Sequence, residues 1–263
     1  PNPNARGLIS GRTGVIWLVL ATLENELERT VAGFLAEAAR RNGMELLIAP
    51  AGGSAASFRM IVTRLRQRTA DGMVLIPSCD PLPEECYREL AGLPAPVVCI
   101  DRWYPGAPAV VTNDNAGAAE ALVRYCLGAG ARRFYLSFPR SNPVAVERFD
   151  AARRMLEAHD IPWSDNPAIL TGGAPGILGN SDRGAWLELQ RCGLLDRLAG
   201  TLCGGFFDRS DPLAAACFRM RWVCVQDFAG MADAAVRMLS ERIGRGVVTP
   251  EFLRIPVREF RQE

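Results

Sequence analysis

The polar residues of this chain that look able to do chemistry sit at the ends of apolar runs. Asn25 follows the run Val15–Leu20, Ser78 follows Gly72–Ile76, and Asp101-Arg102 closes Pro96–Ile100. A loop leads from the apolar run Phe134–Phe138 towards Arg148. A guanidinium offers a planar fork of donors to a phosphate or to vicinal hydroxyls, and a carboxylate accepts from hydroxyls. These residue types suit binding better than catalysis. The one histidine, His159, falls late in a helical stretch and reads as a surface residue. A single histidine gives a poor basis for a Ser-His-Asp set or a His-based metal site. None of the eight cysteines forms Cys-x-x-Cys. Cys99 and Cys224 lie inside apolar runs and read as small buried hydrophobes of a reduced, cytoplasmic protein. The glycine-rich stretch 172–179 lacks the Lys of a phosphate loop, because Gly179 is followed by Asn180-Ser181. Gly128-x-Gly130 follows a helix and not a strand, so it is no dinucleotide fingerprint. No metal and no cofactor is expected.

These positions matter because of the elements that hold them. Val15–Leu20 has the look of a strand buried on both faces. Leu27, Val31, Phe34, Leu35 and Ala38 mark one face of a helix over 26–42, and Met44–Ala49 is the next strand. Ser54 caps a second helix, followed by the strand at 72–76, a short helix at 83–91 and the strand at 96–100. Val110–Thr112 is a brief strand, and Asn113-Asp114-Asn115 opens a helix to about Leu127. A strand at 134–138 and a helix at 144–158 follow. Near the end come a strand at 222–226, a helix at 230–243 and a last strand at 253–257. Strands alternating with helices predict an α/β fold with parallel sheets, and such sheets bind ligands outside their carboxyl ends. Residues 164–212, rich in glycine and turn residues, read as less orderly, with a helix around Trp186–Gln190.

The totals agree with this class. The 263 residues suffice for one large or two small lobes. A net charge of +1 argues for neither nucleic acid nor an acidic partner, and 49% hydrophobic residues fit a packed core. No apolar run reaches the ~18 residues of a membrane span, and the polar start, Pro1 to Asn4, lacks the apolar core of a secretory leader.

Asn2-x-x-Ala5-Arg6-x-Leu8, then Gly11-Arg12-Thr13, then Ile16-x-Leu18-Val19, resembles the lactose-repressor/galactose-repressor (LacI/GalR) family. In that family these are the hinge helix and the first strand of the sensor core. Leu23-Glu24-Asn25 is similar to the fructose-repressor (catabolite repressor/activator) branch. Gly128 to Arg133, leading into the apolar strand, resembles a second family motif. The resemblance covers about 1–162 and 203–263, and relative to the family roughly one βα unit is missing between them.

The resemblance implies a two-lobed, periplasmic-binding-protein-like (type I) α/β fold, each lobe a parallel sheet flanked by helices, joined by three crossovers. The expected divisions are 1–12 as hinge remnant, 13–113 plus 226–248 as the N-terminal lobe, and 114–225 plus 249–263 as the C-terminal lobe. Function would be that of the sensor and dimerisation core of a sugar-responsive regulator, not an enzyme, with its helix-turn-helix head upstream of Pro1. A small phosphorylated sugar such as fructose 1-phosphate would bind between the lobes. The family's ligand-binding Arg matches Arg148 in Arg148-Phe149-Asp150-Ala151-Ala152, where Ala-Ala replaces Gly-Phe, and its Asp matches Asp208 in Gly205-Phe206-Phe207-Asp208. Asn25, Ser78, Asp101 and Arg102 complete the expected ligand set. Arg148 is expected at a cleft rim, where truncation spares folding. Plainer roles stand beside these: a helix-start ion pair with Glu147 or Asp150 for Arg148, a turn for Asp208, a strand-end cap for Asp101. In the hinge, Leu8 would wedge into the minor groove of operator DNA, with Arg6 and Asn4 assisting. A homodimer pairing through the helices at 54–68 and 83–91 is expected. The alternative is a periplasmic sugar-binding protein of a transporter, which shares the fold but lacks this hinge. An α/β enzyme would need a catalytic cluster that the chain does not display.

Overall fold

The computed structural model describes residues 12–51, 54–67, 69–78, 82–207, 211–243 and 251–262. The chain divides into two compact α/β units, one ending its first passage at Asn113 and resuming over Asp227–Ile255, the other made of Asp114–Gln226 and the residues from Pro256 on. Three passages between units result, after Asn113, Gln226 and Ile255.

The first passage builds β1 (Val15–Leu20), α1 (Glu26–Arg41), β2 (Glu45–Pro50), α2 (Ala55–Arg66), β3 (Gly72–Leu75), α3 (Glu84–Ala91), β4 (Val97–Ile100) and β5 (Ala109–Asn113). The second builds α4 (Asn115–Gly128), β6 (Arg133–Ser137), α5 (Pro143–Ala158), β7 (Trp163–Ser164), a 3₁₀ turn at Pro167–Thr171 and β8 (Pro175–Gly179). It continues through α6 (Asp182–Arg191), α7 (Leu195–Leu198), β9 (Leu202–Phe207), α8 (Pro212–Ala215) and β10 (Phe218–Val225). The chain then adds α9 (Phe228–Arg242) and β11 (Glu251–Ile255) to the first unit and β12 (Glu259–Gln262) to the second.

In the first unit the strand order is β11-β5-β4-β3-β1-β2, and every pair is parallel. Alternation along β1 divides its side chains between two cores. Ile16, Leu18 and Leu20 pack with Val31 and Leu35 of α1 and with Met231, Ala235 and Leu239 of α9. Trp17 and Val19 face the other way, with Phe58 and Leu65 of α2 and Tyr87 of α3. Asn25 caps α1, its Oδ1 accepting from the Leu27 N–H at 2.9 Å. Ser54 does the same for α2.

The second sheet runs β12-β10-β9-β8-β6-β7. It is parallel except at its edge, where β12 lies antiparallel to β10. The parallel sheet expected of each unit is present, with this one antiparallel strand at its edge. The last strand was also expected as one piece at 253–257, with everything after 248 in the second unit. Two strands stand there instead: β11 pairs parallel with β5 in the first sheet, and the second unit begins only at Pro256. Proline has no N–H to donate and fixes φ, so a ladder ends naturally before it.

Residues 164–212 are more regular than their composition predicts. β8 reads Pro-Gly-Ile-Leu-Gly and β9 reads Leu-Cys-Gly-Gly-Phe-Phe, and every residue of both is buried. Their glycines give room to large neighbours. A Cβ on Gly205 would stand 2.6 Å from Leu178 Cδ2 and 3.1 Å from Leu122 Cβ. On the opposite face, one on Gly204 would stand 2.9 Å from the Phe218 ring. The second sheet therefore has its full set of six strands. What the β7–β8 connection lacks is an α-helix. Six of the seven described cysteines are buried and none of the seven is in a disulfide, and burial pushes the Cys99 thiol up to about 12.

Gly205→Ala should overpack the contact between α4 and β8. The expected cost is about 1–3 kcal/mol in chemical unfolding. A variant as stable as the parent would show that this interface has slack.

Candidate functional site

Two buried arginines organise the carboxyl ends of the strands, one in each unit. In the second unit Arg148, on the second turn of α5, is 4% exposed. Its Nε donates to Asn115 Oδ1 at 2.8 Å, Nη1 to Asn180 Oδ1 at 3.1 Å, and Nη2 to Gln226 Oε1 at 3.0 Å. The guanidinium carbon lies 3.7 Å from the ring centroid of Phe207. Each partner stands at a chain junction. Asn115 opens α4, Asn180 directly follows β8, Phe207 ends β9 and Gln226 directly follows β10. Asp114 caps α4 through Gly117, and Asn142 caps α5 through Ala145, so both helix starts are fixed. The expectation of a rim residue is corrected: Arg148 is a buried hub. Its guanidinium hydrogen bonds reach three other segments.

In the first unit Arg102 is 5% exposed and lies between two carboxylates. Its Nε donates to Asp101 Oδ2 at 3.1 Å, and its Nη2 lies 3.5 Å from Glu28 Oε1. Glu28 Oε2 in turn accepts from the Thr22 N–H at 3.0 Å. Asp101 occupies the left-handed region, at φ 68°, a conformation that Asp tolerates better than most residues. Its N–H donates to Val111 O and its carbonyl accepts from Thr112 Oγ1 at 2.8 Å. The network joins the ends of β1, β4 and β5 and sets the entry to α1.

The structure thus brings Asp101 and Arg102 together, and it leaves Asn25 exposed as a helix cap near the same strand end. Ser78 follows β3, and its carbonyl accepts from the Tyr104 hydroxyl at 2.9 Å. Asp208 and the hinge residues Asn4, Arg6 and Leu8 lie outside the described residues. Sequence reasoning missed Glu28, Asn115, Asn180 and Gln226 as parts of these clusters. Asn180 and Gln226 each directly follow a buried strand, the signal that singled out Asp101. Glu28 gave no such signal, because an acid in the first turn of a helix reads as solvated.

Among the described residues no group of three or more His, Cys, Asp or Glu is placed to hold a metal ion. No helix among them is long and apolar enough to cross a membrane.

No family model matches the chain. Catabolite repressor/activator from Escherichia coli is 35% identical over 102 residues, which is 39% of this chain and 30% of that protein. The matched segment is therefore less than a third of the relative's length. Among solved structures, the Cra transcriptional dual regulator from Pseudomonas putida, in complex with fructose 1-phosphate, superposes with a TM-score of 0.71 at 20% identity, covering 95% of this chain and 99% of that one. A periplasmic binding protein/LacI transcriptional regulator from Alkaliphilus metalliredigens, complexed with D-xylulofuranose, gives 0.73 at 16% identity over 95% and 98%.

Arg148→Ala would strip the donors from three amide oxygens around a buried residue. It should cost about 3 kcal/mol in unfolding free energy, measured by urea titration; a loss under about 0.5 kcal/mol would contradict the hub. The chain is a homologue of the catabolite repressors, and it has the α/β fold of LacI-family regulators and periplasmic binding proteins.

Proposed function

We propose that this chain is the effector-sensing core of a sugar-responsive, DNA-binding transcription regulator of the LacI/GalR type, and that it is not an enzyme. The observation that carries this reading is the Arg148 hub. It sets a buried guanidinium at the carboxyl ends of β8, β9 and β10, where open parallel sheets take ligands. A positive charge so placed favours an anionic ligand, and a small phosphorylated sugar such as fructose 1-phosphate fits that chemistry. The fructose 1-phosphate complex of the Cra neighbour supports the same choice. Arg148 and Asn180 would contact the ligand from the second unit together with Asp208, and Asp101, Arg102, Asn25 and Ser78 would form the first unit's share. Asp101 and Arg102 act there chiefly by holding the strand ends, since each is already engaged with its neighbours.

Effector binding works by linkage: it shifts the equilibrium only by its differential affinity for two states of the protein. In a full-length cytoplasmic homodimer, that shift would move paired hinges bearing Leu8, Arg6 and Asn4 on operator DNA. Exposed Leu47 on β2 and Met60 on α2 support pairing through the first unit. Sedimentation should therefore show a dimer at tens of micromolar, and a monomer there would remove the dimer from the reading.

Calorimetry tests the effector. Fructose 1-phosphate should bind far more tightly than fructose. Arg148→Lys keeps the charge but loses the fork, and should weaken phosphate binding on the order of 30-fold while leaving more of the fold intact than alanine. Absence of heat from a panel of sugar phosphates, on protein shown to be folded, would overturn the effector assignment. In the full-length protein Leu8→Ala should weaken operator binding and leave effector binding unchanged.

A further inference from the structure

The connection from β7 to β8 differs from its neighbours. β7 is the edge strand and β6 lies between it and β8, so the chain must cross β6 to continue the sheet. Parallel crossovers usually carry a helix. α5 serves β6 to β7 and α6 serves β8 to β9. Between β7 and β8 there is only the 3₁₀ turn Pro167–Thr171. Its Leu170, fully buried, packs with Tyr135 and Ile177 on that face of the sheet. Beyond Leu170, towards the carboxyl ends of β6 and β8, a cavity of about 470 Å³ opens beside α6.

Its lining mixes apolar side chains, among them Phe138 and Pro139, with a few polar ones. Tyr135 and Ser137 project from β6, Glu188 from α6, and Ser181 from the turn after β8. Glu188 Oε2 accepts from Ser137 Oγ at 3.0 Å. Burial, followed by the nearby Glu188 carboxylate, raises the pKa of the Tyr135 hydroxyl, which remains neutral. Arg140 and Asp165 form an ion pair at 2.9 Å across the mouth and offset one another. Glu188 therefore sets the sign of the lining. A pocket of this size with a few convergent polar groups suits one sugar-sized molecule.

We propose that this cavity is a second small-ligand site, distinct from the Arg148 cluster, for a compound that brings a protonated amine to Glu188 and hydroxyls to Ser137 and Ser181, that is, an amino sugar or amino-polyol. The ammonium–carboxylate hydrogen bond is charge-assisted and partly shielded from water, which makes it the dominant contact. The site lies wholly within the second unit. Asn180 forms part of its wall and also accepts from Arg148, so the two sites adjoin without sharing their charged groups.

The test is calorimetry on this chain with glucosamine as the probe, glucose and N-acetylglucosamine as uncharged controls, and fructose 1-phosphate present or absent. Glucosamine should bind on the order of tenfold more tightly than either control. Glu188→Gln should erase that preference and leave fructose 1-phosphate binding, where it occurs, unchanged. Equal heats for the three sugars, no heat from glucosamine at millimolar concentration, or a preference that survives Glu188→Gln would each overturn the site. Competition between glucosamine and fructose 1-phosphate would overturn its separateness. Because the glucosamine signal needs no phosphate, failure of the sugar-phosphate effector would not be mistaken for failure here.

Discussion

A guanidinium taken out of water must have its N–H donors met by fixed acceptors, and this requirement shapes the carboxyl ends of both sheets. In the second unit, acceptors on Asn115, Asn180 and Gln226 meet Arg148, and none of them is near another in sequence. Satisfying one side chain thus fixes the start of one helix and the ends of two strands. In the first unit Arg102 is met by the carboxylates of Asp101 and Glu28. The two solutions differ in charge. Carboxylates accept from or lie beside the Arg102 guanidinium, whereas neutral amide oxygens orient Arg148. The same constraint is thus met in two ways, by charged acceptors in one unit and by amide oxygens in the other.

Much of the fold was legible because apolar runs and caps agreed. Val15–Leu20, Val97–Ile100 and Phe134–Leu136 are buried strands, and Asn25, Ser54 and Asp114 cap the helices that follow. β8 and β9 were obscured by glycine. Propensity treats glycine as a breaker, yet Gly204 and Gly205 are required by Phe218, Leu122 and Leu178, which lie far away in sequence. Packing of that kind has no local trace. The site was legible in the same uneven way. Arg148, Asp101 and Arg102 could be named from strand ends and from a resemblance, but their partners follow only from three-dimensional contacts. The burial of Arg148 likewise could not be read from a helix whose opening turns carry several polar residues.

The β7–β8 connection shows how a local shortening can keep a sheet and change a surface. Leu170, with Ile169 beside it, plugs the lower part of the face that a crossover helix would cover. The strands survive because their hydrogen bonds are made to one another: β6 pairs with β8 over five residues regardless of what covers them. The side chains above instead line an open cavity in which Ser137 donates to Glu188 among apolar neighbours.

The order in which the chain supplies its elements has a consequence for synthesis. One face of the first sheet is covered partly by α9, which packs on β3, β4 and β5, and the sheet's edge is closed by β11. Both come after Asp114–Gln226 has been made. At ribosomal speeds that interval is on the order of ten seconds. Throughout it, Val74, Val98 and Val111 lack their final cover and β5 is an open edge, and only at its end does the second unit wait for β12 alone. The nascent first unit therefore keeps an uncovered apolar sheet face through that interval, although its sheet is begun first.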